Sequence, residues 1–112
     1  MKASMTTKIH DELVDGILSV FGDQVTRIVL YGSEARGTAQ PDSDVDIAVF
    51  LNGDMSRDKE NRLSDIIVDL NLKYDRVFSV IDVNNSVYDK WRGVSPFYQH
   101  VDKEGITLWT AA

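Results

Sequence analysis

Four residues in this chain have the types and the spacing to do chemistry. Gly32 and Ser33 end the apolar run Val25–Tyr31; ten residues then separate Ser33 from Asp44, and one separates Asp44 from Asp46. Strand side chains alternate faces, so an Asp-x-Asp pair at the start of a strand puts both carboxylates on one side. Carboxylates are hard oxygen ligands suited to Mg²⁺, which keeps waters and bridges substrate phosphates. A glycine after a strand lets backbone approach a phosphate, and N–H groups at a following helix start attract anions. The Ser33 hydroxyl can donate to a phosphate oxygen. The chemistry these four residues suit is nucleotidyl transfer. Paired metal ions would lower the pKa of an acceptor hydroxyl and stabilise departing pyrophosphate. The protein's share would be positioning and charge stabilisation.

The surrounding pattern supplies elements to hold such a site. Ile9, Leu13, Val14, Ile17, Leu18 and Phe21 recur at helical spacing, predicting a helix over 7–21 capped by Thr6 or Thr7 and ended by Gly22. The first strand is Val25–Tyr31. Gly32–Pro41 is turn-rich, with a short helix around Glu34–Gly37. The second strand is Asp44–Leu51, with the aliphatic positions Val45, Ile47, Val49 and Leu51 facing the core. Asn52-Gly53-Asp54 makes a turn. A helix over 56–73 follows, with Leu63, Ile66, Ile67 and Leu70 as its apolar stripe. The third strand is Arg76–Val83, and a short helix spans about 87–91. Ser95-Pro96 reads as an N-cap and a first-turn proline, and Gly105 as the C′ glycine of the last helix. Ile106–Trp109 is a short closing strand or a packed tail. The order predicts an α/β (α+β) domain, a small mixed β-sheet flanked by helices.

Composition narrows the function classes. The chain has 112 residues, 43% of them apolar, which suits one domain over 1–112 with a real core. It has no cysteine, hence no disulfide, thiolate nucleophile or Cys-based zinc site. His10 and His100 lack metal-ligand spacing. No apolar run reaches the roughly 18 residues needed to span a bilayer. Met1–Lys8 has no apolar h-region, so a cytoplasmic protein with no membrane association is expected. The net charge of −6 argues against stable nucleic-acid binding by the isolated domain, because such binding rests on Lys and Arg neutralising phosphates. It permits a small anionic substrate held through metal, or a basic protein partner.

The residues also resemble a known family. Leu30-Tyr31-Gly32-Ser33, then Asp44-Val45-Asp46 and Ile47-Ala48-Val49, look like the polymerase-beta-like nucleotidyltransferase superfamily. Ala35-Arg36-Gly37 and Ser43-Asp44 fit its small stand-alone branch, the minimal nucleotidyltransferases (MNT). So does the tail Ser95-Pro96-Phe97 … Lys103-Glu104-Gly105-Ile106-Thr107-Leu108. The resemblance implies that Asp44 and Asp46 are the catalytic metal ligands for two Mg²⁺ ions, and that Gly32 and Ser33 bind the nucleotide. It also implies a prokaryotic toxin–antitoxin role: an antitoxin that transfers AMP from ATP to a tyrosine of a HEPN-domain partner. Aminoglycoside-type relatives transfer to a small molecule, but this chain shows no second substrate-binding domain.

In one respect the pattern departs from the superfamily, which normally carries a third acidic residue on a neighbouring strand. Alignment of Phe78-Ser79-Val80-Ile81-Asp82 puts Ser79 in that position. Asp82 has the opposite strand parity, and Asp75 precedes the strand. Either would substitute if the strand bulged or shifted register, though a one-residue slip flips faces. A catalytically degenerate antitoxin, acting by binding alone, is therefore the alternative to an active enzyme. The remaining residues have simpler readings. Arg36 either contacts phosphate or sits opposite an acidic residue. Trp91, Trp109, Phe97 and Tyr98 read as core or interface residues, His100 as a surface histidine, and Arg57–Arg62 as a solvated helix face.

Overall fold

Ile9, Leu13, Val14, Ile17, Val20 and Phe21 form one buried stripe of helix α1 (Thr7–Phe21), whose N-cap Thr6 accepts from the Ile9 N–H. The computed structural model describes residues 6–40 and 43–111. Pro41, the end of the predicted turn segment, lies outside them, as does segment 1–5. Gly22 ends α1 at φ 53°, a conformation that suits glycine. A single 3-10 turn then leads into β1 (Val25–Tyr31). After β1 come α2 (Ser33–Arg36), β2 (Val45–Leu51), α3 (Arg57–Tyr74), β3 (Phe78–Asn84), α4 (Asn85–Trp91), α5 (Pro96–Glu104) and β4 (Ile106–Thr110). The sheet order is β3-β2-β1-β4. β1 runs antiparallel to β2 and β4, and β2 parallel to β3, so the sheet is mixed as expected. Ile106–Thr110 is the closing strand, beside β1.

Val45, Ile47, Val49 and Leu51 face a core shared with α1 and α3, as their alternation predicts. The even positions Ala48 and Phe50 are equally buried, in a second core with Val29, Val83, Tyr88 and Val101. Helices α4 and α5 supply that second layer, so β2 is covered on both faces and reads as a near-continuous apolar run. Asp46 stands on the second face, at the end of β2 that these helices leave partly open.

Among the boundaries that differ from expectation, two lie beside the candidate site. Asp44 precedes β2 rather than opening it. β3 begins at Phe78, two residues after the predicted Arg76. The chain leaves α3 through Asp75 in a left-handed conformation (φ 51°) and uses Arg76 for a buried ion pair, described below. Gly105 follows α5 as predicted, but not as a left-handed C′ residue: it is extended, with φ −66° and ψ 143°. Its reason is space. A Cβ there would lie 2.3 Å from the Val101 carbonyl oxygen and 2.5 Å from Val29 Cγ1. Gly105→Ala is therefore expected to cost about 2 kcal/mol through overpacking, read as a lowered urea midpoint at unchanged m-value. Among the described residues no helix is long and apolar enough to cross a membrane.

Candidate active site

β1 ends at Gly32 because the chain there adopts φ 76° and ψ −155°, a region open essentially only to glycine. That conformation turns the backbone into the single helical turn α2. The sheet register places Tyr31 opposite Asp46, and Asp46 opposite Ser79. Paired residues share a face, so Tyr31, Asp46 and Ser79 form a row across three strands. Gly32 abuts this row: a Cβ on it would lie 2.5 Å from Asp46 Oδ2. The glycine thus serves both the turn and the room beside the carboxylate. Gly32→Ala is expected to destabilise the fold by about 1–2 kcal/mol and to displace the Asp46 carboxylate. Thermal melts and nucleotide titration of that variant check both effects.

The electrostatics of the row are those of an anionic site. Burial raises the Asp46 pKa above the usual carboxylate range; the neighbouring Asp44 charge raises it further, and Arg36 partly opposes them. Burial also raises the Tyr31 pKa, and the Asp46 charge adds to it. Asp44 itself is exposed, and the two carboxylates are close enough to feel each other. Arg36 meets an acidic residue, as one of its two readings had it: its Nη1 lies 3.1 Å from Glu104 Oε2 on α5. Tyr31, Gly32, Arg36, Phe97, His100 and Glu104 line a cavity of about 230 Å³ beside the row. Phe97 closes its roof edge-on to Tyr31, with ring centroids 5.5 Å apart.

The register gives the places of the three residues weighed for the third acid. Ser79, half-buried, occupies the position beside Asp46. Asp82 pairs with Val49, on the opposite face. Asp75 caps α3 ahead of the strand and is exposed. Among the described residues no three of His, Cys, Asp and Glu come close enough to hold a metal ion. Two mutually repelling carboxylates of this kind suit a Mg²⁺ that takes its other ligands from phosphates and water.

Sequence reasoning missed Arg76. It is buried, with 6% of its surface exposed, and forms an ion pair of 3.1 Å with Glu34 on α2. The same Nη2 donates to the Ser43 carbonyl at 3.1 Å. Arg76 therefore ties the turn after Gly32-Ser33 to the residue before Asp44. The only signal available in sequence was an arginine at the mouth of an otherwise apolar strand. Of the other residues, His100 is exposed and Trp109 packs against the first core. Phe97 and Tyr98 form a ring cluster with Tyr31 and Tyr88. Trp91 is 48% exposed. The 57–62 segment is largely solvated.

Fold, turn and carboxylates together define a class, and comparison with known proteins agrees: the chain belongs to the nucleotidyltransferase domain family, whose model matches residues 11–95. A provisionally named protein adenylyltransferase of Methanocaldococcus jannaschii is 32% identical over 102 residues, covering 91% of this chain and 96% of the relative. A second of the same name and organism is 37% identical over 76 residues, which is 66% of this chain but 52% of that protein. Among solved structures, a toxin–antitoxin complex with AMP-PNP superposes with a TM-score of 0.63 at 22% identity, covering 91% of this chain and 73% of that one. An MNT antitoxin in complex with a tri-AMPylated HEPN toxin, from Shewanella oneidensis, gives 0.62 at 18% identity, covering 96% and 74%. At that identity the structures establish the shared fold.

Proposed function

We propose that this protein is a Mg²⁺-dependent adenylyltransferase that moves AMP from ATP to a protein acceptor, in the manner of an antitoxin acting on a HEPN-type partner. The observation that carries this reading is Gly32 in a glycine-only conformation pressed against a carboxylate whose charge is disfavoured by burial and by Asp44. Local strain and like-charge crowding at a cleft reduce stability and are retained where they serve a site. The relatives' names point to ATP and a protein acceptor.

In this reading Asp44 and Asp46 hold Mg²⁺, which when bound would neutralise phosphate charge and activate the acceptor hydroxyl. The Gly32-Ser33 turn supplies N–H groups and a hydroxyl to the phosphates. Glu104 must release Arg36 if that guanidinium is to reach them. The acceptor oxygen forms a bond to the α-phosphorus; the bond to the β-phosphate oxygen breaks, and its electron pair leaves with pyrophosphate. The acceptor proton passes to solvent, because Ser79 is not a base at neutral pH. A tyrosine hydroxyl, with a pKa near 10, yields its proton far more readily than a serine hydroxyl. The absence of a carboxylate at position 79 therefore favours a phenolic acceptor.

The test is incubation with α-labelled ATP, Mg²⁺ and the product of the neighbouring gene. Label on the acceptor that disappears with Asp44→Asn supports the reading; no Asp44-dependent label on any acceptor sinks it. Ser79 beside Asp46 favours a second reading, a degenerate site that neutralises its partner by occlusion. In that case Asp44→Asn and Asp46→Asn leave neutralisation intact.

A further inference from the structure

An apolar groove of about 560 Å³ runs along the same face of the sheet, beginning two residues beyond Ser79. Ile81 and Val83 form its floor, and Trp91, Val94, Phe97 and Tyr98 its wall. Its volume lies in the range of sites that enclose a ligand group. Trp91 is 48% and Val94 67% exposed, so large apolar surface is left open here. Phe97 also lines the cavity beside Gly32, so the groove and the candidate active site share that side chain as a wall.

The groove borders the sheet edge, because β3 is the outermost strand. The Val45 N–H donates to the Val77 carbonyl, and backbone groups alternate sides from there. Ser79, Ile81 and Val83 thus bond toward β2, while Phe78, Val80 and Asp82 point outward. Asn71 Oδ1 accepts from the Phe78 N–H at 2.9 Å and closes the start of this edge. Among the described residues, the outward backbone groups of Val80 and Asp82, flanking the groove, meet no strand partner.

In-line displacement decides which reactant belongs on this side. The leaving pyrophosphate and the attacking oxygen lie on opposite sides of the phosphorus. On the adenylyltransferase reading, phosphates held at Gly32-Ser33 would lie on the β1 side of Asp46, and a hydroxyl attacking in line would come from the β3 side, toward the groove. Resting on the adenylyltransferase reading, we propose that the groove and the open edge of β3 dock an extended segment of the acceptor protein. The segment adds as a strand beside Val80 and Asp82 and places an apolar side chain in the groove. The net charge of −6 and the exposed Asp82 suit a segment carrying Lys or Arg next to that apolar anchor.

Two variants test this with the neighbouring gene's product as acceptor. Val94→Lys puts a charge in the groove, and Val80→Pro removes an outward N–H that no ladder bond uses, a substitution edge strands tolerate. Each is expected to raise the acceptor KM by about tenfold with little change in kcat, while calorimetric affinity for Mg·ATP is unchanged. Hydrogen exchange at the Val80 and Asp82 amides should slow in the complex. An unchanged acceptor KM with unprotected amides overturns the docking while leaving the transferase reading standing. Weakened Mg·ATP binding overturns it differently, by assigning the groove to the nucleobase. If wild-type protein gives no Asp44-dependent label, the underlying reading falls and the docking with it.

Discussion

Asp46→Asn is expected to abolish transfer and, in the same protein, to raise the melting temperature. Asp46 is a proposed metal ligand, so the amide removes half of the charge this chain offers to Mg²⁺. A loss on the order of 10³-fold in rate, about 4 kcal/mol of barrier, is the expectation for such a group. The stability change has the opposite sign. In the folded protein, burial and then the Asp44 charge raise the Asp46 pKa. A carboxyl whose folded-state pKa is raised binds its proton more tightly when folded, so its contribution to stability falls as pH rises through that raised value. At neutral pH the charged form weighs against the fold, and asparagine lifts that burden. The gain should be present at pH 7 and vanish in acid, below the ordinary aspartate pKa, where both states of the wild-type group are protonated. Thermal melts across pH, paired with the labelling assay, separate the two effects. A lower melting temperature at pH 7 would mean that Asp46 has a structural partner and is not held at a cost for function.

Arg76→Met should produce the largest loss of stability. Its guanidinium joins Glu34 on α2 to the Ser43 carbonyl ahead of Asp44. The Glu34 side chain is 14% exposed, so removing the cation leaves a largely buried carboxylate without this partner. Breaking a buried pair from one side costs about 3 kcal/mol, on the order of 12 °C in Tm for a domain this size. Transfer should fall as well, because the turn carrying Ser33 and the segment entering Asp44 lose their common tie. The double variant Arg76→Met with Glu34→Leu is the decisive control. Replacing both members of a buried pair by apolar groups is often neutral, so much of the stability should return. Activity should not, if the clamp sets the site's geometry. Recovery of both together would reduce Arg76 to a purely structural role. Urea titrations of the two single variants and the double supply the coupling energy.

Where the physics is local, the sequence was enough to determine the outcome. Thr6 and Ser95 cap their helices as expected, and the apolar stripes of α1 and α3 are legible at helical spacing. The β2 alternation identifies one buried face, and the Gly-Ser turn with Asp-x-Asp identifies the family that the comparisons confirm. Ser79 was singled out only through the family resemblance, and its place opposite Asp46 depends on how β3 aligns with β2. The tertiary structure decided whatever depends on which elements meet. Ala48 and Phe50 are buried because α4 and α5 cover a second face, something no alternation within β2 reveals. Gly105 is required by the approach of Val29 and the Val101 carbonyl, one of them 76 positions away in the chain, not by the helix end it follows. Arg36 meets Glu104 across 68 positions, and Arg76 meets Glu34 across 42. Ion pairs between residues so distant carry no sequence period; only the packing of the sheet and its helices brings them together. The four residues that could do chemistry were visible in the chain, but the clamp that holds them, and the open strand edge beside them, exist only in the fold.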